Sequence, residues 1–418
     1  MNYRLGIPGM SWLLTVLALA ACSTPSEPDQ PGPLPVHDGS LRTAAIDYEV
    51  GDLSAPEVMA KYARVDLLIV QPWRFWDREI YAGDLDLIRA ANPGVRIVAY
   101  LRPFNVRAVW RETAGRYTGA LWDVCSPHLV RTVNGDTASV WPGSYVYNLL
   151  DPAVRADVLD VFAAYQGTGG NTFDGVFWDN FCTKLWGADD PNLNDGEIDL
   201  DGNGVGHFSD PDEIAAMHRA QEAWVRELRA RFGEGFIQIA NGDRALVDST
   251  FAATVDGMFY EGFPTVGFPG DNTCYAALDP DRFNNLFAAS RWPRTRNGGP
   301  WAIPTFIRNV GGFVDQTGTY RPTNTGDFLR ALCLLTGATS LHTDLSGHPR
   351  AGIPAVELDL GLPLGPTEIT GNLYRRTFAG GTVEVILDTG VWPTPFSFTI
   401  RGTDGRNIQK IDAPYAYP

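Results

Sequence analysis

Asp174-Gly175-Val176-Phe177-Trp178-Asp179-Asn180 and Asp256-Gly257-Met258-Phe259-Tyr260-Glu261-Gly262 are two versions of one pattern. Each opens on Asp-Gly, runs through three apolar residues and stops on a carboxylate. Short apolar runs that end on polar residues read as strands. Comparable runs lie at 44–50, 65–71, 96–102, 236–241, 301–308 and 338–344, and with 174–179 and 256–261 they make eight. Helical patterns fall between them at 83–91, 152–166, 211–232, 279–289 and 325–336, several opened by Asp or Thr beside a Pro, as helix starts require. Repeated strand–helix units predict an α/β fold with a parallel sheet: a (β/α)8 TIM barrel over residues 41–349, with long insertions after the third and fourth strands. A doubly wound open sheet is the alternative, but no Gly-rich phosphate loop follows the first strand. Beyond 349 the pattern changes to Pro- and Gly-punctuated short strands at 373–378, 382–387 and 396–401, so residues 350–418 are expected to form a small C-terminal all-β appendage.

With 418 residues, 44% of them apolar and 20% charged, the chain is a globular protein large enough for a substantial core. Its formal net charge of −16 argues against nucleic acid or anionic lipid as an electrostatic partner. Residues 1–22 have a single positive charge (Arg4), an apolar stretch and the ending Leu19-Ala20-Ala21-Cys22, too short to span a bilayer and typical of a secretory signal. That ending resembles a bacterial lipobox, which implies cleavage before Cys22, lipidation of that cysteine and attachment to the cell envelope, at the outer membrane in a Gram-negative cell. Residues 23–40, rich in Pro and polar residues, read as a tether. Cys125, Cys182 and Cys274 fall in apparent loops and are the disulfide candidates, with the pairing open; Cys333 reads as a buried helical thiol.

In a βα barrel the last residues of the strands converge on one face. Those positions hold Asp47, Gln71, Arg102, Asp179, Asn180, Asn241, Glu261, Arg308, His342 and Asp344. Burying an unpaired carboxylate costs several kcal/mol, so acidic groups there must be paired, solvated in a cleft or used. Asp179 and Glu261, ending the fourth and sixth strands, suit cleavage of a glycosidic bond: one carboxyl protonates the leaving oxygen and the other attacks C1 or activates water. The bland alternative is a pair of arginine-bound barrel carboxylates. The opening Asp of each pattern, by contrast, reads as structural.

From about residue 44 to residue 344, with DGVFWDN, IANG and DGMFYEGF in order, the chain resembles glycoside hydrolase families related to the endo-α-1,4-polygalactosaminidases, barrel enzymes distantly akin to the α-galactosidase superfamily. The resemblance implies that Asp179 is a nucleophile and Glu261 an acid/base, in a retaining reaction.

Aromatic side chains fit a sugar ligand. Trp73, Phe75 and Trp76 follow the second strand, Trp110, Trp122 and Trp141 the third, and Trp178 and Trp186 flank the end of the fourth. Such rings stack on pyranose faces or pack loops onto the barrel. Asp47, Gln71, Trp73, Arg102, Trp178, Asn180, Asn241, Arg308, His342 and Asp344 are the expected substrate-binding set. The segment near 195–213 reads as a calcium loop, with Asp199, Asp201 and Asn203 at positions 1, 3 and 5, Gly204 at 6, the Val205 carbonyl at 7 and Asp210 at 12 in place of the usual Glu. A structural Ca2+ is therefore expected. The six histidines form neither H-x-H nor H-E-x-x-H, which disfavours catalytic zinc and hence a metal-dependent deacetylase. The expected function is hydrolysis of a poly- or oligosaccharide by a lipid-anchored monomer; the alternative is a surface lipoprotein that binds carbohydrate without cleaving it.

Overall fold

The computed structural model describes residues 43–47, 50, 53–63, 65–77, 83–260, 265–266, 277–278, 301–304, 312–314, 320–322, 325–336, 340–341, 360–387 and 396–413. The segments expected to be signal and tether, Glu261, Cys274, the helix expected at 279–289, Arg308, His342 and Asp344 lie outside these residues.

Eight strands form one all-parallel sheet: β1 (Thr43–Asp47), β2 (Leu67–Val70), β3 (Arg96–Leu101), β4 (Gly175–Trp178), β5 (Ile237–Asn241), β6 (Gly257–Tyr260), β7 (Trp301–Pro304) and β8 (Ser340–Leu341). Their order is β7-β6-β5-β4-β3-β2-β1-β8, so sequence neighbours lie side by side and β8 returns to β1, Thr43 opposite Ser340. The two outermost strands, β7 and β8, come within 8 Å of each other (Cα–Cα), although no hydrogen-bonded ladder joins them among the described residues. The open doubly wound order, in which the chain reverses direction across the sheet, is not the one observed.

Among the described residues, the helices of more than one turn are α1 (Pro56–Tyr62), α2 (Asp84–Ala91), α3 (Tyr117–Cys125), α4 (Pro152–Tyr165), α5 (Pro211–Phe232) and α6 (Thr325–Thr336). The ends of α5 follow from its sequence. The Asp210 carboxylate accepts the N–H groups of Asp212 and Glu213, Pro211 supplies the fixed φ of the first turn, and Gly233 at φ 89° stops the helix. Helices α1 and α3 were not expected. Cys125, expected in a loop, is the last residue of α3, buried as a free thiol that burial foremost and the Asp157 charge next push well above the ordinary cysteine range. It is therefore no disulfide partner.

Two cores follow from the two-residue alternation of the strands. Ala44, Ile46, Leu67, Ile69, Val98, Tyr100, Phe177, Ile237, Ile239 and Phe259 form a cluster of their own. No helical side chain among the described residues joins it, so the strands cover one another and the sheet must be curled, these residues lining its concave side. The intervening residues, among them Ala45, Leu68, Val70, Ala99, Val176, Trp178 and Ala240, face the helices and merge with the large outer core.

An aspartate just before each of β2, β4 and β6 stitches the start of the preceding strand. Asp66 accepts the Thr43 N–H (2.7 Å), Asp174 that of Ile97 (2.8 Å) and Asp256 that of Gln238 (2.8 Å). Arg89 and Arg229 neutralise Asp174 and Asp256. The glycine of the Asp-Gly pair is equally constrained, since a Cβ on Gly175 would lie 2.1 Å from the Ile237 carbonyl oxygen.

At the C-terminus, β9 (Glu368–Thr370), β10 (Leu373–Phe378), β11 (Gly381–Leu387), β12 (Phe396–Gly402) and β13 (Asn407–Ala413) form an antiparallel sheet in sequence order. Its buried residues Tyr374, Phe378, Val383, Val385, Leu387 and Ile400 share one core with Ala331–Leu335 of α6. Buried Arg376 donates to the Leu334 and Leu335 carbonyls (2.9 and 3.3 Å), satisfying orphan acceptors near the C-terminal end of that helix.

Candidate active site

Asp179 follows the last residue of β4, in phase with Phe177 on the concave side. One carboxylate oxygen accepts the Tyr100 hydroxyl, and the other accepts the Asn241 amide at 3.0 Å. Tyr100 lies flat on Phe177 (centroids 5.3 Å, 18°), which fixes its hydroxyl over the carboxylate. Asn180 adopts a left-handed φ of 58°, a conformation asparagine tolerates, and donates weakly to Asp179 (3.4 Å). The chain then turns to bond Phe181 N–H to the Asn241 carbonyl (2.6 Å). Gly242 is required at this crossing, because a Cβ there would lie 2.3 Å from the Phe181 carbonyl oxygen. Among the described residues Asp179 forms no ion pair. The Arg102 guanidinium lies 5.7 Å from the Tyr100 ring centroid instead. The side chain is half-buried, anchored by donors on both oxygens and open to the concave end of the sheet, an arrangement suited to a carboxylate acting as an anion.

The same alternation sorts the other expected residues. Gln71, Arg102 and Asn241 are in phase with the concave residues of β2, β3 and β5, and Trp73 lines one small cavity together with Tyr100, Arg102 and Trp110. Two expectations fail because a one-residue step puts a side chain on the opposite face of the sheet. Asp47 points to the helices, where it accepts the Tyr62 hydroxyl (2.6 Å) and the Val50 N–H (2.9 Å). Trp178 is a core residue, 1% exposed, stacked on Phe181 and donating its indole N–H to Gln238 (2.9 Å). Phe75 and Trp76 are likewise core.

In the acidic loop, Asp199 accepts the backbone N–H groups of Gly202, Asn203 and Gly204. Asn203 accepts the Val205 N–H (2.7 Å) and donates to Asp201 (3.2 Å) and Asp210 (2.6 Å). The structure groups Asp199 and Asp201 with Glu213, not with Asp210, their carboxylate oxygens lying within 4.8 Å of one another. Asp210 is instead the α5 cap, and Glu213, on the next turn, is fully buried. Glu213 accepts the N–H groups of Leu200 (2.6 Å) and Asp201 (3.0 Å), and its other oxygen meets His207 Nδ1 (2.7 Å). Since His207 Nε2 accepts the Leu185 N–H (2.9 Å), the proton sits on Nδ1 and is donated to Glu213. Desolvation first, then the charges of Glu213, Asp199 and Asp210, push the Asp201 carboxyl up; hydrogen bonds from the Asn203 side chain foremost hold that of Asp210 down.

Sequence reasoning missed Tyr100 and Glu213. The first is detectable as the residue two before Arg102 on the same strand face. The second sits beyond the twelve residues of the calcium-loop template.

The family model for hypothetical glycosyl hydrolase family 15 matches residues 89–382. None of the curated proteins compared with the chain matches it. Among solved structures, the GH36 α-galactosidase AgaA of Geobacillus stearothermophilus is 11% identical, with 91% of this chain and 54% of that one covered and a TM-score of 0.46. For the α-galactosidase of Lactobacillus brevis the values are 11%, 83%, 46% and 0.45. The chain thus spans about half the length of these proteins.

Proposed function

This chain belongs to hypothetical glycosyl hydrolase family 15, and from that membership we propose that it cleaves a poly- or oligosaccharide, with Asp179 the carboxylate that meets the anomeric carbon and Glu261 its acid/base partner. The observation that carries this reading is Asp179 itself: a carboxylate at the C-terminal tip of a central parallel strand, held by Tyr100 and Asn241 and neutralised by no cation among the described residues. An arginine-locked carboxylate would favour the non-catalytic alternative. Glu261 follows concave-side Phe259 by two residues in sequence, the spacing of residues on one strand face. The strand order and the approach of β7 to β8 support closure of the sheet into a (β/α)8 barrel.

In a retaining reaction Asp179 attacks C1 while Glu261 protonates the leaving oxygen, and Glu261 then activates the water that releases the sugar. Tyr100 and Asn241 keep the attacking oxygens oriented throughout. Gln71 and Arg102 are placed to meet substrate hydroxyls. The test is release of reducing ends from a glycan panel, with the first-formed anomer followed by NMR. Retention of configuration is expected; inversion would assign Asp179 the role of general base, and no cleavage of any glycan would overturn the reading.

We also propose that Ca2+ braces the insertion, held by Asp199, Asp201 and Glu213. Hard oxygen donors clustered around buried carboxylates fit this ion. Because Arg131–Thr132 of the preceding insertion pairs with Ile198–Asp199, the ion would stiffen both insertions at once. At a hundredfold excess over Kd, Ca2+ should stabilise the fold by about 2.7 kcal/mol. Thermal unfolding in calcium and in chelator should differ by several degrees, and Glu213→Gln should remove the difference; identical curves for the unaltered chain would contradict the site. Finally, the lipobox supports lipidation of Cys22 and anchorage in the bacterial envelope. Labelled palmitate should enter the full chain but not a Cys22→Ala variant, and equal labelling of both would contradict it.

A further inference from the structure

Of the eight aromatic residues that invite a sugar-binding reading, Phe75, Trp76, Trp110 and Trp178 are buried and Trp73 and Trp122 pack half-buried against the core, which leaves Trp141 and Trp186. They are 47% and 42% exposed and stack on each other at 4.4 Å and 29°. Trp141 belongs to the insertion after β3, in the strand Ser139–Trp141, and Trp186 to the insertion after β4. Both insertions leave the C-terminal end of the sheet, the end that carries Asp179.

The pair is held from below. Asn194, buried, accepts the Ser139 N–H (2.8 Å) and donates to the Ser139 carbonyl (2.8 Å) and the Gly187 carbonyl (3.2 Å), so one side chain ties together the backbones beside the two tryptophans. Gly187 takes φ 74°, a left-handed conformation that favours glycine, where the second loop meets Val140 of the first. Leu185 and Ala188, on either side of Trp186, are fully buried. The backbone beside both tryptophans is therefore anchored while their indoles are turned to solvent, where exposed apolar area costs free energy unless a ligand covers it.

We propose that Trp141 and Trp186 form a platform on which an uncharged polysaccharide chain stacks, outside the Asp179 site and on the same end of the molecule. Two side chains are far too small for a protein interface, which needs about 800 Å2 per partner. The acidic chain, at −16, opposes polyanionic glycans. Flat rings joined by a rigid scaffold match the apolar faces of pyranoses and lose little side-chain entropy on binding. The choice of a glycan as occupant rests on the hydrolase reading above.

The test measures binding of galactomannan, hydroxyethyl cellulose and dextran by affinity electrophoresis and calorimetry. The full chain carries Asp179→Asn so that no polymer is consumed, with and without Trp141→Ala/Trp186→Ala. At least one polymer should bind, and the double alanine variant should lose tenfold or more in affinity while circular dichroism and melting temperature stay unchanged. Trp141→Phe/Trp186→Phe should restore most of the binding. Affinity within twofold of the parent, or binding of none of the three polymers, overturns the platform. Cleavage by the unaltered chain is scored separately. A polymer that is cut but bound without the tryptophans overturns the platform alone, and tryptophan-dependent binding with no cleavage of any glycan overturns the hydrolase reading alone.

Discussion

Asp179→Asn is expected to lower the rate of glycoside hydrolysis by at least ~10³-fold, about 4 kcal/mol of transition-state stabilisation, while the protein stays folded. The size of the effect follows from the role. An amide of nearly the same shape can neither attack C1 nor balance positive charge at the anomeric centre. The fold should survive because the carboxylate is only half-buried and its neighbours keep other contacts. Tyr100 remains stacked on Phe177, and the Asn241 carbonyl still accepts the Phe181 N–H. The replacement amide can accept only one of the two bonds from Tyr100 and Asn241, at a cost of about 1 kcal/mol. Steady-state rates together with a melting curve check both halves: a large rate loss with an unchanged melting transition is expected, and activity within tenfold of the unaltered chain would remove Asp179 from the chemistry.

The largest effect on stability should come from Asp256→Ala, at about 3–5 kcal/mol. Asp256 is 0% exposed and bonds both the Gln238 N–H and the Arg229 guanidinium (2.9 Å). Removing it leaves a buried backbone donor unpaired at the start of β5 and a cation without its closest carboxylate, since Glu234 lies 3.7 Å from Arg229 and is solvated. The equivalent change at Asp66, which is exposed, or at Asp174, which is partly so, should cost markedly less. Urea unfolding of the three variants checks the ranking. A loss below about 1 kcal/mol for Asp256→Ala would show that the stitch adds no stability.

Much of the strand–helix order is visible in the residues because each strand is a short apolar run with an abrupt polar end. The bounds of α5 are visible because Asp210, Pro211 and Gly233 mark them with side-chain and backbone chemistry. What could not be read was the face of a strand's last residue. Asp47 and Asp179 look alike in sequence, yet one step of phase sends the first to Tyr62 and the second to the concave side. Trp178, next to Asp179, goes to the core for the same reason. Helix α3 has Thr118 and Gly119 in its first turn, and its first N–H groups are accepted by the distant Asp77 carboxylate instead of a cap residue next to them, so Cys125 reads as a loop residue. Strands β9 and β13 escape the pattern because the first is three residues long and exposed along its length and in the second the adjacent Gln409 and Lys410 break the apolar–polar alternation. Glu213 escapes because a carboxylate supplied by the following helix leaves no trace in a loop motif.

The proposed glycoside cleavage rests on Asp179 and its hydrogen-bond partners, so the decisive assay incubates the full chain, unaltered and as Asp179→Asn, with a panel of uncharged oligo- and polysaccharides and counts new reducing ends over time. Steady release from at least one member by the unaltered chain, falling to background in the variant, is the expected result; release that continues undiminished in the variant, or none from any glycan, would contradict it.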